Sequence, residues 1–233
     1  MKLGIVGSGQ IVHDFLSAAD KIKDLELVAI STTPNQKDVA QELADKYHIQ
    51  KVFTNNEEMF KEDDIDTAYI GVPNSLHFPI AKEALTAGKN VICEKPLVET
   101  SQQVKDLKEV ANRHHVLLFA AMTVLYLENY FHLKEDLKKI GKIHIVALNL
   151  TQISSHYDEF LAGEHIPKFD RKMGGGALMD MNIYNINFAV SLFGKPKKIV
   201  YSPTIQLGTD SSGILSLSYD DKQATLIAAK DSV

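Results

Sequence analysis

The sequence predicts an α/β chain in two parts. Residues 1–121 read as a doubly wound parallel sheet and 122–233 as an α+β domain on a mostly antiparallel open sheet. Three observations predict this. Apolar runs of strand length alternate with amphipathic helix-length segments through the first half, which is the rhythm of βαβ units. A glycine-rich turn joins the first such run to the first helix. Beyond about residue 122 the alternation gives way to helices and longer runs whose looser patterning suits antiparallel pairing.

Residues 2–7 (KLGIVG) read as a buried strand. Gln10 to about Asp24 reads as a helix with Ile11, Phe15, Ala18, Ala19 and Ile22 on its inward stripe. A strand at 25–31, a helix from Asn35 to Tyr47 and a short strand from Lys51 to Thr54 follow. TAYIGV (67–72), NVICEK (90–95) and VLLFAAM (116–122) complete six strands. Helices from His77 to Ala87, closed by Gly88, and from Ser101 to His114 serve as crossovers. Right-handed crossovers leave few alternatives to a dinucleotide-binding domain of Rossmann type. Further on come a helix from Leu125 to Ile140, a strand at 142–152 and an irregular polar stretch at 153–172. A helix from Gly176 to Leu192, stopping at Gly194, precedes strands at 197–207, 213–220 and 222–230.

Composition bounds the function. The 233 residues are 45% hydrophobic and 24% charged, as in globular chains. Net charge is −5, so no basic field exists to attract nucleic acid or an anionic membrane, and neither is an expected partner. The single cysteine, Cys93, forms no internal disulfide and supplies no Cys-based metal cluster. The nine histidines show no HExxH-like pairing, so no metal is expected. Neither a signal peptide nor an apolar run of about 18 residues is seen, which makes the cytoplasm the expected location.

Gly7-Ser8-Gly9-Gln10-Ile11-Val12 stands where a G-x-G-x-x-G turn holds a pyrophosphate on a helix N-terminus. Gly7, Gly9, Gln10 and Ile11 are the expected contacts. Val12 breaks the third position and implies a slightly displaced helix. At the end of the second strand, where an acid would bind the ribose of NAD, the chain has Ser31-Thr32-Thr33, and no carboxylate appears before Asp38. Ser31, Thr32 and Lys37 suit a 2′-phosphate, which points to NADP over NAD. The same residues also read as a plain turn before Pro34.

Glu94-Lys95-Pro96 ends the fifth strand and Val72-Pro73-Asn74-Ser75-Leu76-His77 follows the fourth, both at the sheet end where ligands bind. Val72, Pro73, Asn74, His77, Glu94 and Lys95 therefore join the cofactor set. Gly174-Gly175-Gly176 leads into a helix on which Asp180 and Tyr184, four residues apart, share a face. Plainer roles exist for several of these: Tyr184 as an interface aromatic, Asp180 as a turn cap, Asn74 as a helix cap, His77 as a loop anchor and Cys93 as a small packed hydrophobe.

Through the glycine loop, PNSLH, AGKNVICEKP and GGGALMDMNIY, the chain resembles the Gfo/Idh/MocA family of oxidoreductases over essentially its whole length. The resemblance implies that Lys95 lies beside nicotinamide and substrate and that Asp180 and Tyr184 complete the polar set. Many members carry histidine at the last position; tyrosine looks like the glucose–fructose oxidoreductase and dihydrodiol dehydrogenase branch. Members run to about 330 residues, so the later strands of the second sheet are expected to be missing. In the family the broad sheet often forms the subunit interface, which implies a homo-oligomer, a dimer or higher.

Oxidising a secondary alcohol requires a proton acceptor on the hydroxyl as hydride leaves carbon. Tyr184 is the expected proton donor for carbonyl reduction, with Lys95 polarising the substrate oxygen and tuning the phenol. Alternatively Lys95 itself carries the proton. Asp180 orients the lysine or a substrate hydroxyl. The function implied is an NAD(P)-dependent dehydrogenase or reductase acting on a small polyol, sugar or diol. A catalytically silent NAD(P)-binding sensor is the other reading, favoured by Val12 and the short C-terminus.

Overall fold

Residues 1–19 and 21–233 are described by a computed structural model, in which the chain divides into two units, 1–121 and 122–233. In the first, strands β1 (Lys2–Val6), β2 (Glu26–Ser31), β3 (Lys51–Phe53), β4 (Thr67–Ile70), β5 (Asn90–Cys93) and β6 (Leu118–Ala120) are all parallel, in the order β3-β2-β1-β4-β5-β6. The order reverses between β1 and β4, which opens a crevice at the carboxyl ends of those strands. Helices α1 (Gln10–Ala19), α2 (Lys37–Tyr47), α3 (Asn56–Phe60), α4 (His77–Thr86) and α5 (Ser101–His114) accompany the sheet. Alternate strand residues feed two cores: Leu3, Ile5 and Tyr69 pack with Val12, Leu16 and Leu43, whereas Val6, Ala68 and Ile70 pack with Phe60, Leu85 and Leu107. Burial on both faces is why these strands read as nearly continuous apolar runs.

Two expectations for this unit need correction. The buried stripe of α1 is Val12, Leu16 and Ala19, while Ile11 is 40% and Ile22 52% exposed. Helix α1 ends at Ala19, and Asp20 of the expected stretch lies outside the described residues. Helix α3 was not anticipated. Its signal is Asn55, whose side chain accepts from Glu57 N and Glu58 N, with both acids in the first turn.

The second unit is built on β7 (Ile145–Thr151), β8 (Lys198–Gln206), β9 (Thr209–Ser218) and β10 (Gln223–Ala229), in the order β7-β10-β9-β8. β8–β9 and β9–β10 are antiparallel as expected, and β7–β10 is parallel. Its helices are α6 (Glu128–Asp136), α7 (Tyr157–Leu161) and α8 (Ile183–Phe193). Helix α6 is shorter than the expected 125–140. The stretch 153–172 is not wholly irregular: it holds α7 and the turn Pro167–Phe169, joined by Phe160 stacking on Phe169 at 4.2 Å. The helix expected from Gly176 begins as a π-helical turn, Leu178–Asn182, before α8. Ala189 of α8 packs with Leu215, Leu217, Ala224 and Leu226 of the sheet. Asn182 and Asn185 donate to the β10 carbonyls of Leu226 (3.2 Å) and Ile227 (3.0 Å), which docks this helix start on an inner strand of the sheet.

Candidate functional site

In the first unit the candidate residues gather at the carboxyl end of the parallel sheet. Gly7 adopts φ +112°, and a Cβ on it would lie 2.2 Å from Gly71 O, so only glycine fits the turn. Among the described residues nothing stands within 4 Å of a Cβ on Gly9, so on that side the backbone is open to close approach. Gln10 and Ile11 open α1, and Ile11 is partly exposed. This is the geometry that receives a pyrophosphate, and the residues present fit a dinucleotide. Val12 is fully buried, and the accommodation it needs lies on the neighbouring strand end: a Cβ on Gly71 would lie 2.9 Å from Val12 Cγ2.

At the tip of β2, Ser8 Oγ and Thr32 Oγ1 share a hydrogen bond of 2.9 Å, and Lys37 is exposed at the start of α2. Ser31 is placed differently from expectation. It is fully buried and donates its hydroxyl to Asn56 Oδ1 at 2.6 Å, so it braces the turn from behind.

The loops after β4 and β5 are joined by His77. Its ring is fully buried, with Nε2 2.9 Å from Val72 O and Nδ1 2.7 Å from Pro96 O. Such a ring has no surface to offer a cofactor, which corrects its place in the contact set and agrees with the loop-anchoring role. Pro73 and Asn74 lead into the turn Asn74–Leu76, and Leu76, not Asn74, occupies the cap position of α4. Glu94 is also buried: Oε1 accepts from Tyr69 OH at 2.8 Å and Oε2 from Lys95 N at 3.1 Å. Burial, and then the Glu94 charge, push the Tyr69 phenol well above its usual range, so it remains a donor. Lys95 is partly buried, and the bond to Pro96 is cis. Glu94 and His77 thus fix the backbone on either side of Lys95.

The remaining candidate residues belong to the unit of residues 122–233. Gly175 N donates to Asp170 O (2.9 Å) and Gly176 N to Lys168 O (3.1 Å). A Cβ on Gly175 would lie 2.8 Å from Lys168 O, and one on Gly176, at φ +111°, would lie 2.1 Å from Asp210 Oδ1. The glycine run is therefore a close backbone approach. Asp210 accepts from Leu178 N (2.8 Å) and Tyr201 OH (2.6 Å), holding the start of the helix. Asp180 lies in the π-turn and Tyr184 in the first turn of α8, both partly buried. Asp180 Oδ2 accepts from Lys230 Nζ at 2.7 Å. Lys230 was missed in the sequence because a lysine after a strand reads as a solvated charge; its side chain is only 3% exposed.

Residues 1–122 match the family model described as "Oxidoreductase family, NAD-binding Rossmann fold", and residues 136–231 match "GFO/IDH/MocA C-terminal domain". The chain is 34% identical over 231 residues to scyllo-inositol 2-dehydrogenase (NADP(+)) IolU of Bacillus subtilis (strain 168), covering 99% of this chain and 70% of that protein. It is 27% identical over 235 residues to trans-1,2-dihydrobenzene-1,2-diol dehydrogenase of Xenopus laevis, covering 98% of this chain and 68% of that one. Among solved structures, KijD10, a 3-ketoreductase from Actinomadura kijaniata in complex with NADP and TDP-benzene, superposes with a TM-score of 0.89 at 24% identity. That match covers 100% of this chain and 71% of KijD10, and it is a likeness of fold.

Proposed function

This chain is a member of the Gfo/Idh/MocA oxidoreductase family, and from that premise we propose that it exchanges hydride between NADP and a small polyol, sugar or diol and its carbonyl form. The observation that carries this reading is the phosphate turn, with its obligatory Gly7 and open Gly9, at the switch point of a 3-2-1-4-5-6 sheet. Gly7, Gly9, Gln10 and Ile11 would hold the pyrophosphate, and Thr32 and Lys37 a 2′-phosphate. Val72, Pro73, Asn74, Glu94 and Lys95 would frame the rest of the cofactor. The NADP preference is supported by the lack of any carboxylate from Ser31 to Lys37 and by the NADP(+)-dependent relative.

When bound, the cofactor would supply the hydride chemistry at the carbonyl or alcohol carbon. In carbonyl reduction Tyr184 donates its phenolic proton to the oxygen as negative charge develops there. Lys95 lends positive charge to that oxygen, and Asp180 accepts from a substrate hydroxyl or from an ammonium. We assign the unit as a homodimer, with the sheet face bearing Ile145, Ile214 and Ile227 as the subunit contact; Ile145 is 79% exposed. The reading sets the enzyme in the cytoplasm, consistent with a lone, buried thiol at Cys93.

The test follows absorbance at 340 nm with NADPH and a panel of ketosugars, inososes and diketones, with Lys95→Met and Tyr184→Phe in single turnover. Loss of absorbance, slowed at least 100-fold in one variant, supports the reading. Absence of turnover with every carbonyl overturns it. If NADH binds more tightly than NADPH, the cofactor preference is wrong. Monomers in light scattering would remove the dimer.

A further inference from the structure

Lys230 follows β10 directly, and its ammonium is enclosed. It donates to Asp180 Oδ2 and to Lys168 O, both at 2.7 Å, and stands 4.4 Å from the centroid of the Phe169 ring. Its backbone N donates to Ser211 O at 2.8 Å, so the main chain from which the side chain springs is held as well. The Lys168 carbonyl also receives Gly176 N, so one oxygen joins the lysine to the glycine run that starts the helix. Asp180, its acidic partner, is the more exposed of the two, at 22% against 3%. Enclosing an ammonium costs desolvation that a well-packed apolar side chain avoids, so such a pair is a poor device for stability alone. What it supplies is direction: a fixed cation dictates which carboxylate oxygen turns inward.

From these contacts we infer that Lys230 is a positioning residue of the reaction, holding Asp180 by Oδ2 so that its Oδ1 keeps a set orientation. This rests on the function proposed above. Lys230 moves no proton; it acts through Asp180. A lysine that merely pinned the Pro167–Phe169 turn would act equally well without Asp180, and that difference is measurable.

The experiment uses the full chain with NADPH and the carbonyl it reduces fastest, comparing Lys230→Met, Lys230→Arg, Asp180→Asn and the Lys230→Met/Asp180→Asn double variant in single turnover. Lys230→Met is expected to slow hydride transfer at least 30-fold while the NADPH dissociation constant stays within twofold. Lys230→Arg, which keeps the cation, recovers at least a third of the lost factor on a logarithmic scale. In the Asp180→Asn background Lys230→Met changes the rate less than twofold. Equal losses in both backgrounds, or an unchanged rate in Lys230→Met, overturn the proposal and leave the enzyme assignment standing. If circular dichroism shows Lys230→Met unfolded, Lys230→Gln, which keeps a donor for Lys168 O but no charge, takes its place with the same criteria. A wild-type chain that binds NADPH and reduces nothing overturns the enzyme reading, and this proposal with it.

Discussion

Val12 Cγ2 occupies the space that a side chain at residue 71 would need, because a Cβ on Gly71 would lie 2.9 Å away. In the usual fingerprint the third glycine lets the helix approach the sheet. Here the approach is made by removing the side chain from the facing strand end. Gly71→Ala is therefore expected to cost about 1–3 kcal/mol through overpacking. The Val12→Ala/Gly71→Ala pair should cost less than the sum of its singles, which urea unfolding of all three variants checks. Strict additivity would show that the two positions do not share this space.

Stability should fall in alkali. Tyr69 and Tyr201 are both raised from 10.0, first by burial and then by their carboxylate partners, Glu94 and Asp210. Above about pH 10 the unfolded chain loses these protons while the folded chain keeps them. The folded state then binds more protons, so stability decreases as pH rises, by up to about 1.4 kcal/mol per pH unit for each phenol. Cys93, raised from 9.0 by burial and then by Glu94, adds the same sign from about pH 9. Unfolding free energies from pH 7 to 11 should show the downturn, and Tyr69→Phe/Tyr201→Phe should flatten it, though from a lower start at neutral pH. A profile that rises above pH 10 would contradict both placements.

Cofactor preference is open to charge reversal at an exposed site. Lys37 begins α2 beside the turn that follows β2, and its side chain is exposed. Lys37→Glu should weaken NADPH about tenfold, as expected for reversing one partly screened charge near a 2′-phosphate. NADH, which lacks that group, should change less than twofold. Fluorescence titration with both cofactors decides it, and equal effects would remove Lys37 from the proposed 2′-phosphate site.

Much of this was legible in the residues, and for a physical reason. A strand buried on two faces must be apolar throughout, so β1, β4 and β5 announce themselves. Gly7, Lys95 and Gly176 stand at element ends where a glycine or a charge has no generic explanation. What escaped detection depends on partners distant in sequence. Lys230 meets Asp180 across 50 positions, Ser31 turns to Asn56 across 25, and Tyr69 finds Glu94 across 25. No local periodicity encodes such pairs. The π-turn at 178–182 was equally hidden, since its Asn182 and Asn185 are explained only by the β10 carbonyls they reach.

His77 offers the most direct test of how the loops around Lys95 are held. Its two ring nitrogens face carbonyl oxygens of different loops, Val72 O at 2.9 Å and Pro96 O at 2.7 Å, inside a fully buried site. His77→Leu preserves much of the volume but leaves both carbonyls without that partner, which should cost about 2–4 kcal/mol. Gln at the same position keeps one donor group and should fall between wild type and Leu. Because Pro96 adjoins Lys95, the loss should also reach chemistry: kcat for carbonyl reduction should fall about tenfold in His77→Leu even where melting curves show the protein folded at the assay temperature. The cofactor contacts proposed for Gly7 and Gly9 lie on another loop, so NADPH affinity should fall less than kcat does. If His77→Leu lowered stability yet left kcat at the wild-type value, the ring would be a packing element only, and the position of Lys95 would be set by Glu94 without it.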